Sequence, residues 1–362
     1  MSAVQEITFH PQQSRNAGYF TQPFLTNAWY VAMWAKDLPP ATLVPRKIIN
    51  EALVFLRKED GSIVALADRC PHRFAPLSRG KVKDGDQIQC PYHGLVFDSG
   101  GACVHNPHGS QAIPPAAKVR SYPAVEKHRC VWVWMGTRTP DPSLIPDFSL
   151  LDTAPEAHMT KPDHITIGAH YQLVSDNLLD LSHAIYLHEG ILGDSPTAEI
   201  KVEQQGDTVT VSRSAKSVPL VGIQRLYWPH PSTIVDRVNS IRWDAPCYLL
   251  LKATVCLPGQ DPADGSGYWG VHLLTPETES TTAYHFTAVR FNVQTLESEN
   301  EAINEKIGER RRFAFEQQDG PLIAAQQRTI DEATEVLNPV LLSIDVGPVR
   351  CKRILERMLK DD

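Results

Sequence analysis

Cys70-Pro71-His72, seventeen intervening residues, then Cys90-Pro91-Tyr92-His93: two cysteines and two histidines whose order decides how the first third of this 362-residue chain folds. Each pair is mixed, one thiolate with one imidazole. A tetrahedral structural zinc site usually pairs Cys with Cys and His with His, about two to five residues apart within each pair. Mixed pairs instead let each of two loops present a thiolate to one iron and an imidazole to the other, the ligation of a [2Fe-2S] cluster held by two Cys and two His. Such a cluster works at roughly -150 to +300 mV, against about -400 mV for plant-type all-cysteine clusters. The chain is therefore expected to carry electrons. The flanking residues extend the pattern to C-P-H-R-x-A-P-L-S-x-G from Cys70 to Gly80 and C-P-Y-H-G from Cys90 to Gly94.

The length exceeds what one hydrophobic core usually organises, so two domains are expected. A net charge of -7 gives no footprint for nucleic acid or an anionic membrane surface. No window resembles a transmembrane span or a signal peptide, and a cytoplasmic location is expected. Of seven cysteines, two are claimed by the cluster motif; the other five, Cys103, Cys130, Cys247, Cys256 and Cys351, are scattered without a framework. Structural disulfides are not expected.

Residues 1–24 are polar and aperiodic and read as an N-terminal arm, with order beginning near Phe24. From there to about Met135 the text is short strands and turns: Trp29–Met33, Leu53–Leu56, the turn Lys58–Gly61, Ile63–Leu66 and Val131–Trp134. Pro140, Pro142, Pro146 and Pro155 mark a connector. The expected domains are therefore 25–145, a small all-β cluster domain, and 146–362. In the second, strands are expected at 165–174, 198–213, 238–256, 268–274 and 282–292, with a helix at 176–187 and a long charged helix from Glu297. The expected class is α+β, the second domain an antiparallel sheet with helices of helix-grip-like type.

Just past the connector the chain reads Ser175-Asp176-Asn177-Leu178-Leu179-Asp180-Leu181-Ser182-His183-Ala184-Ile185-Tyr186-Leu187-His188. On a helix Asp180 and His183 share a face, whereas His188 lies about 140° around from His183. His188 must then come from a frayed helix end or a following loop. Two imidazoles with a carboxylate suit the 2-His-1-carboxylate triad of non-haem Fe(II) oxygenases, which leaves metal positions open. Histidines so spaced also occur as plain core or surface residues, but an electron-transfer centre needs an acceptor, and a ferrous site is one.

Together these motifs resemble the oxygenase component of Rieske non-haem iron oxygenases, most closely the vanillate O-demethylase and dicamba monooxygenase group. The resemblance covers the cluster loops, the N-L-L-D-L-S-H-A-x-Y-x-H segment, and Ser343–Gly347 followed by Lys352–Glu356. It implies that Cys70, His72, Cys90 and His93 hold the cluster and that His183 and His188 bind a mononuclear Fe(II). It implies a third ligand at Asp319, which lies seven and eight residues before Gln326 and Gln327; a helix N-cap is the plain alternative reading of Asp319, and Glu316 the fallback ligand. Gln318 departs from relatives, which tend to have Glu, and Gly320-Pro321 directly after the aspartate is also a departure. The resemblance further implies that Asp180 bridges to the cluster of a neighbouring chain in a homotrimer and that Asn177 lies near the iron, its plain reading being a helix-start residue.

Asp180 is also expected to accept the imidazole N–H of His183 through its carboxylate, as partners behind metal-binding histidines commonly do. Tyr92 is a candidate hydrogen-bond donor to a cluster sulfur. Leu95 stands where many ring-dihydroxylating relatives have Trp. His105 and His108 read as exposed, and Arg310-Arg311-Arg312 as a solvated helix face or a dock for an acidic donor. Tyr284 and Phe286 read as core or pocket residues, with Ile223–Trp228 a second candidate pocket wall. No G-x-G-x-x-G or flavin fingerprint is present, so NAD(P)H would be used by a separate flavin and iron-sulfur reductase, with or without a ferredoxin. The expected reaction consumes O2 to oxidise a small aromatic substrate, foremost O-demethylation of a methoxylated aromatic acid with release of formaldehyde. Methyl or ring hydroxylation and N-demethylation are the alternatives, and a pure Rieske electron carrier is the alternative of another class.

Overall fold

The computed structural model describes residues 19–21, 23–188, 190–192 and 195–362; most of the expected arm lies outside them. Packing begins earlier than Phe24, since Phe20 is buried and stacked on His170 with ring centroids 4.1 Å apart.

The first domain is built from eleven short strands: β1 (Ala28–Trp34), β2 (Val44–Ile48), β3 (Glu51–Arg57), β4 (Ile63–Ala67), β5 (Lys81–Lys83), β6 (Gln87–Gln89), β7 (Val96–Phe97), β8 (Cys103–His105), β9 (Ser121–Tyr122), β10 (Ala124–Lys127) and β11 (Cys130–Met135). They form three antiparallel sheets, β1-β11-β10, β2-β3-β4-β9 and β5-β6-β7-β8. β1 and β11 are apolar from end to end and wholly buried, as strands covered on both faces must be. The tight turn into β8 requires glycine: Gly101 has φ +84°, and a Cβ there would lie 2.0 Å from the Val119 carbonyl oxygen.

After a connector carrying a short helix α1 (Leu150–Thr153), the second domain runs β12 (Asp163–Ile167), α2 (Tyr171–Leu179), α3 (Ala184–Leu187), β13 (Glu199–Gln205), β14 (Thr208–Pro219), β15 (Ile234–Asp244), β16 (Tyr248–Cys256), β17 (Ser266–Thr278) and β18 (Thr281–Phe291). Its seven strands form one antiparallel sheet in the order β12-β18-β17-β16-β15-β14-β13. The expected strand at 198–213 is a hairpin that turns at Gly206 with φ +59°, and the strand at 238–256 is two strands turning at Ala245-Pro246. The strand expected at 165–174 stops at Ile167, because the His170 side chain accepts from the Gln172 amide at 3.3 Å and starts α2.

The two domains share one hydrophobic core. The Tyr248 hydroxyl donates to the Trp29 carbonyl at 2.6 Å, and Thr275 Oγ1 to the Val31 carbonyl at 2.6 Å, so β1 is pinned to the large sheet. At the far end α6 (Val346–Asp361) leads into Asp362, whose carboxylate accepts from the Thr26 amide at 2.9 Å. No described helix is long and apolar enough to cross a membrane.

The charged segment after Glu297 is one long helix with a fault in it. α4 (Asn300–Phe313) passes through a π-helical stretch, Ala314–Asp319, into α5 (Gly320–Glu332). Pro321 has no amide to donate and its ring would clash with the carbonyl one turn back. The wider π turn removes that conflict, and such bulges often sit at functional sites. Asp319 is therefore inside a continuous helix, not at a helix start, which corrects the N-cap reading.

Candidate metal centres

The two cluster loops share one backbone design. In the first, the Cys70 amide donates to the Ala75 carbonyl at 2.9 Å and the Phe74 amide to the Cys70 carbonyl at 2.9 Å; in the second, Cys90 donates to Leu95 at 2.8 Å and Gly94 to Cys90 at 3.1 Å. The fourth residue after each cysteine has positive φ, +58° at Phe74 and +72° at Gly94. β6 and β7 hold the second loop, while Asp68 fixes the first by accepting from the Ser78 amide at 2.7 Å and hydroxyl at 2.6 Å.

Both thiols sit in the small core beneath the loops, Cys70 1% and Cys90 2% exposed. Burial pushes the Cys70 thiol up to about 11, and the adjacent Cys90 adds to it. The His72 and His93 rings lie 4.6 Å apart. His93 Nδ1 is buried and makes no hydrogen bond to the described residues. Two adjacent buried thiols and an orphaned imidazole nitrogen fit a metal-sulfur cluster, which binds thiolates and uses that lone pair. Tyr92 does not serve as a buried donor to sulfur: it is 64% exposed and its ring lies against His93, centroids 4.0 Å apart. His108, though exposed, is not idle, since its Nε2 lies 2.8 Å from the His93 carbonyl oxygen.

The second centre is built where α2 ends. The expected helix over 176–187 breaks at Asp180, whose φ and ψ of -83° and 83° leave the helical region. Asp180 Oδ1 accepts from the Ser182 amide at 2.9 Å and also from its hydroxyl, capping the turn Leu181–His183. The expected carboxylate bond to His183 is thus absent: His183 Nδ1–H donates to the Asp180 backbone carbonyl instead. α3 follows, and His188 stands just past its last residue. Asn177 is in the body of α2, not at a helix start, and its Nδ2 donates to Asp319 Oδ1 at 3.2 Å.

These breaks bring His183, His188 and Asp319 to one point. The two Nε2 atoms are 3.2 Å apart, and Asp319 Oδ1 lies 3.6 Å from His183 Nε2 and 3.3 Å from His188 Nε2. Two ligand atoms each about 2.1 Å from a metal stand about 3.0–3.4 Å apart at right-angle to tetrahedral angles. His188 is 1% and Asp319 3% exposed. Burial works against charge on His188, but the Asp319 carboxylate and the Gln318 amide outweigh it and raise its pKa. Converging lone pairs beside a buried carboxylate form a slot suited to a divalent cation.

Gln318 is the residue the sequence undervalued. Its Oε1 accepts from His188 Nδ1 at 2.9 Å, which leaves His188 Nε2 as the lone-pair nitrogen. Its position beside Asp319 was the available signal, but helical spacing gave no reason to aim it at a residue 130 positions away. Glu316 is no fallback ligand: it is exposed and paired with Arg312 at 3.0 Å. The arginine run is not uniformly solvated either, since Arg311 is 2% exposed. Tyr284 and Phe286 are buried, with ring centroids 5.1 and 5.0 Å from Phe315 in the π stretch. Ile223 and Tyr227 belong to a separate small core with Tyr268 and Ile307.

The vanillate O-demethylase oxygenase C-terminal domain family matches residues 167–361, and the Rieske [2Fe-2S] domain family matches residues 28–123. This chain belongs to the Rieske non-haem iron oxygenases. It is 35% identical to the chloroacetanilide N-alkylformylase oxygenase component of Rhizorhabdus wittichii, over 93% of this chain and 96% of that protein. It is 34% identical to the dicamba O-demethylase oxygenase component of Stenotrophomonas maltophilia, over 92% and 98%. Its fold matches the crystal structure of dicamba monooxygenase bound to 3,6-dichlorosalicylic acid with a TM-score of 0.85 at 33% identity, covering 94% of this chain and 98% of that one. As a Rieske oxygenase it combines a small all-β cluster domain with a sheet-and-helix catalytic domain, and uses a [2Fe-2S] cluster and a mononuclear iron. It is the oxygenase component of a multicomponent monooxygenase.

Proposed function

We propose that this oxygenase O-demethylates a methoxylated aromatic acid, and that the convergence of His183, His188 and Asp319 within one buried slot carries the chemistry. Cys70 and Cys90 would hold one iron of the cluster, His72 and His93 the other, and the division between domains falls near residue 145. When bound, the cluster supplies electrons and the mononuclear iron activates dioxygen beside the substrate. His183 and His188 turn their Nε2 atoms to the slot because their Nδ1–H groups donate hydrogen bonds to the Asp180 backbone carbonyl and to Gln318 Oε1, and Asn177 steadies the carboxylate of Asp319. The balance is one O2, two electrons and two protons per methyl carbon hydroxylated, with one water released; the resulting hemiacetal breaks its C–O bond to give a phenol and formaldehyde.

Electrons would come from NAD(P)H through a separate flavin and iron-sulfur reductase, with or without a ferredoxin. Delivery between neighbouring chains of a homotrimer is supported by the surface. A cleft of about 860 Å³ is lined by Asn177, Asp180, His183, Tyr186 and Leu341, and Tyr186 and Leu341 are 82% and 62% exposed at its mouth. Phe74 and Tyr92 beside the cluster are 70% and 64% exposed, apolar side chains suited to covering such a mouth. Asp180 spends one carboxylate oxygen on Ser182 and so keeps the other for a neighbour's cluster ligand. Dealkylation at nitrogen is the second reading, favoured by the likeness to an N-alkylformylase.

The test is a single turnover. Chemically reduced protein is mixed with dioxygen and methoxylated, methylated and N-methyl aromatic compounds, and products and formaldehyde are identified. Formaldehyde with the matching phenol is the expected result. Hydroxymethyl or diol products, or N-dealkylation alone, would replace the O-demethylase reading.

A further inference from the structure

Gln326 and Gln327, adjacent in the sequence motif, have different surroundings. Gln326 lines the cleft with Asn177 and Asp180, whereas Gln327 is 4% exposed. Both ends of the buried amide are used. Gln327 Oε1 accepts from the His170 backbone amide at 2.8 Å, and Nε2 donates to Asp331 Oδ1 at 3.0 Å, one turn further along α5. His170 is the residue that starts α2. It is fully buried, with the rings of Phe20 and Phe24 stacked on its own at 4.1 and 5.8 Å between centroids. A backbone amide so enclosed needs an acceptor from the protein, and Gln327 supplies it.

This bond is one of two that tie α2 to the helix carrying Asp319; the other joins Asn177 Nδ2 to Asp319 Oδ1 at 3.2 Å. His170 to Asn177 is seven residues forward, and Gln327 to Asp319 is eight residues back, so the two segments run antiparallel. At about 1.5 Å per residue the bonds stand roughly 10 to 12 Å apart along the pair. Leu173, Leu178 and Ile323 belong to the core that the pair shares. Two bonds so separated fix both the slide and the tilt of one helix against the other, whereas one alone is a pivot. α2 ends at Asp180, and the turn behind it carries His183, so tilting α2 moves Asn177 and His183 together relative to Asp319. His188 is held separately, by Gln318 in the π stretch.

We propose that Gln327 is a positioning residue for the mononuclear iron: by clasping the start of α2 to α5 it keeps Asn177 on Asp319 and so fixes the carboxylate in the slot. The inference rests on the proposed ligand set of His183, His188 and Asp319.

Ferrous-iron affinity is measured by chelator competition on the full chain with its cluster in place. Gln327→Met, which keeps the length of the side chain and removes both hydrogen bonds, should bind iron about tenfold more weakly than wild type, and Asn177→Ala by a similar factor. Combined, the two should fall no more than about threefold below Asn177→Ala alone, because they act in one chain of contacts. Exchanging the pair, Gln327→Glu with Asp331→Asn, keeps an acceptor for the His170 amide and should bind iron within about threefold of wild type. If Gln327→Met does not fold, Asp331→Ala carries the test: Asp331 is exposed, and its loss frees the Gln327 amide, so iron binding should weaken about threefold in the wild-type background and not at all in Asn177→Ala. A merely structural glutamine would lower the thermal midpoint and leave iron affinity unchanged, which overturns the proposal. A further full tenfold loss in the double variant, or a loss in the exchanged pair equal to that of Gln327→Met, overturns it too. Asp319→Asn separates the two levels: iron affinity unchanged there sinks the ligand set itself, whereas a loss there with none in Gln327→Met sinks the clasp alone.

Discussion

Replacing Gln318 by Leu removes the acceptor behind His188 while keeping a side chain of similar reach. The bond lost is the 2.9 Å contact between Gln318 Oε1 and His188 Nδ1. His188 is 1% exposed, so bulk water cannot take the amide's place. A hydrogen bond of this kind contributes about 0.5–1.5 kcal/mol, and a buried donor left unsatisfied costs about 1–3 kcal/mol. Taking about 2 kcal/mol as the penalty on the ligand tautomer gives roughly a 30-fold loss of ferrous-iron affinity. That falls within the roughly 10–100-fold range for partners behind metal-binding histidines. Competition with a chromogenic ferrous chelator measures it, with the visible spectrum of the cluster as an internal control that should not change. Gln318→Glu restores an acceptor and should return affinity to the wild-type level or above. Iron retention by Gln318→Leu within about threefold of wild type would refute the reasoning.

Two further outcomes test the other parts of the molecule. His93→Cys should move the cluster potential down by several hundred millivolts, towards about -400 mV, in a spectroelectrochemical titration, since a thiolate replaces an imidazole; an unchanged potential would exclude His93 as a ligand. Gly101→Ala places a Cβ 2.0 Å from the Val119 carbonyl at φ +84° and should destabilise the cluster domain by roughly 1–3 kcal/mol, read as a lower thermal midpoint for bleaching of the cluster absorption.

Local pattern carried the first domain into view. Four ligand-type residues within 24 positions, turns marked by glycine and proline, and unbroken apolar strands such as Val131–Trp134 are all short-range signals. The second site was legible only as fragments. His183 and His188 share a segment, but helical periodicity runs straight through Asp180, and side-chain capping by Asp180 onto Ser182 competes with that periodicity and wins. Asp319 had the right residue type, yet its placement depends on a π stretch forced by Pro321, which no 3.6-residue period displays. Gln318 and Arg311 failed to stand out for a different reason: each meets residues from other elements, His188 from the turn after α3 and the rings of Tyr268 from β17 and Phe286 from β18. An arginine triplet looks solvated in sequence, and only the burial of its middle member separates a surface charge from an enclosed one.

The most direct measurement is the iron content per chain of reconstituted wild type and His183→Ala, taken together with the visible spectrum of the cluster. Wild type should hold three iron atoms per chain, two in the cluster and one at the slot formed by His183, His188 and Asp319. His183→Ala should hold two with the cluster spectrum intact. Two irons in wild type, or three retained by His183→Ala, would contradict the account, because electrons leaving the cluster would then have no iron acceptor where the structure brings these three side chains together.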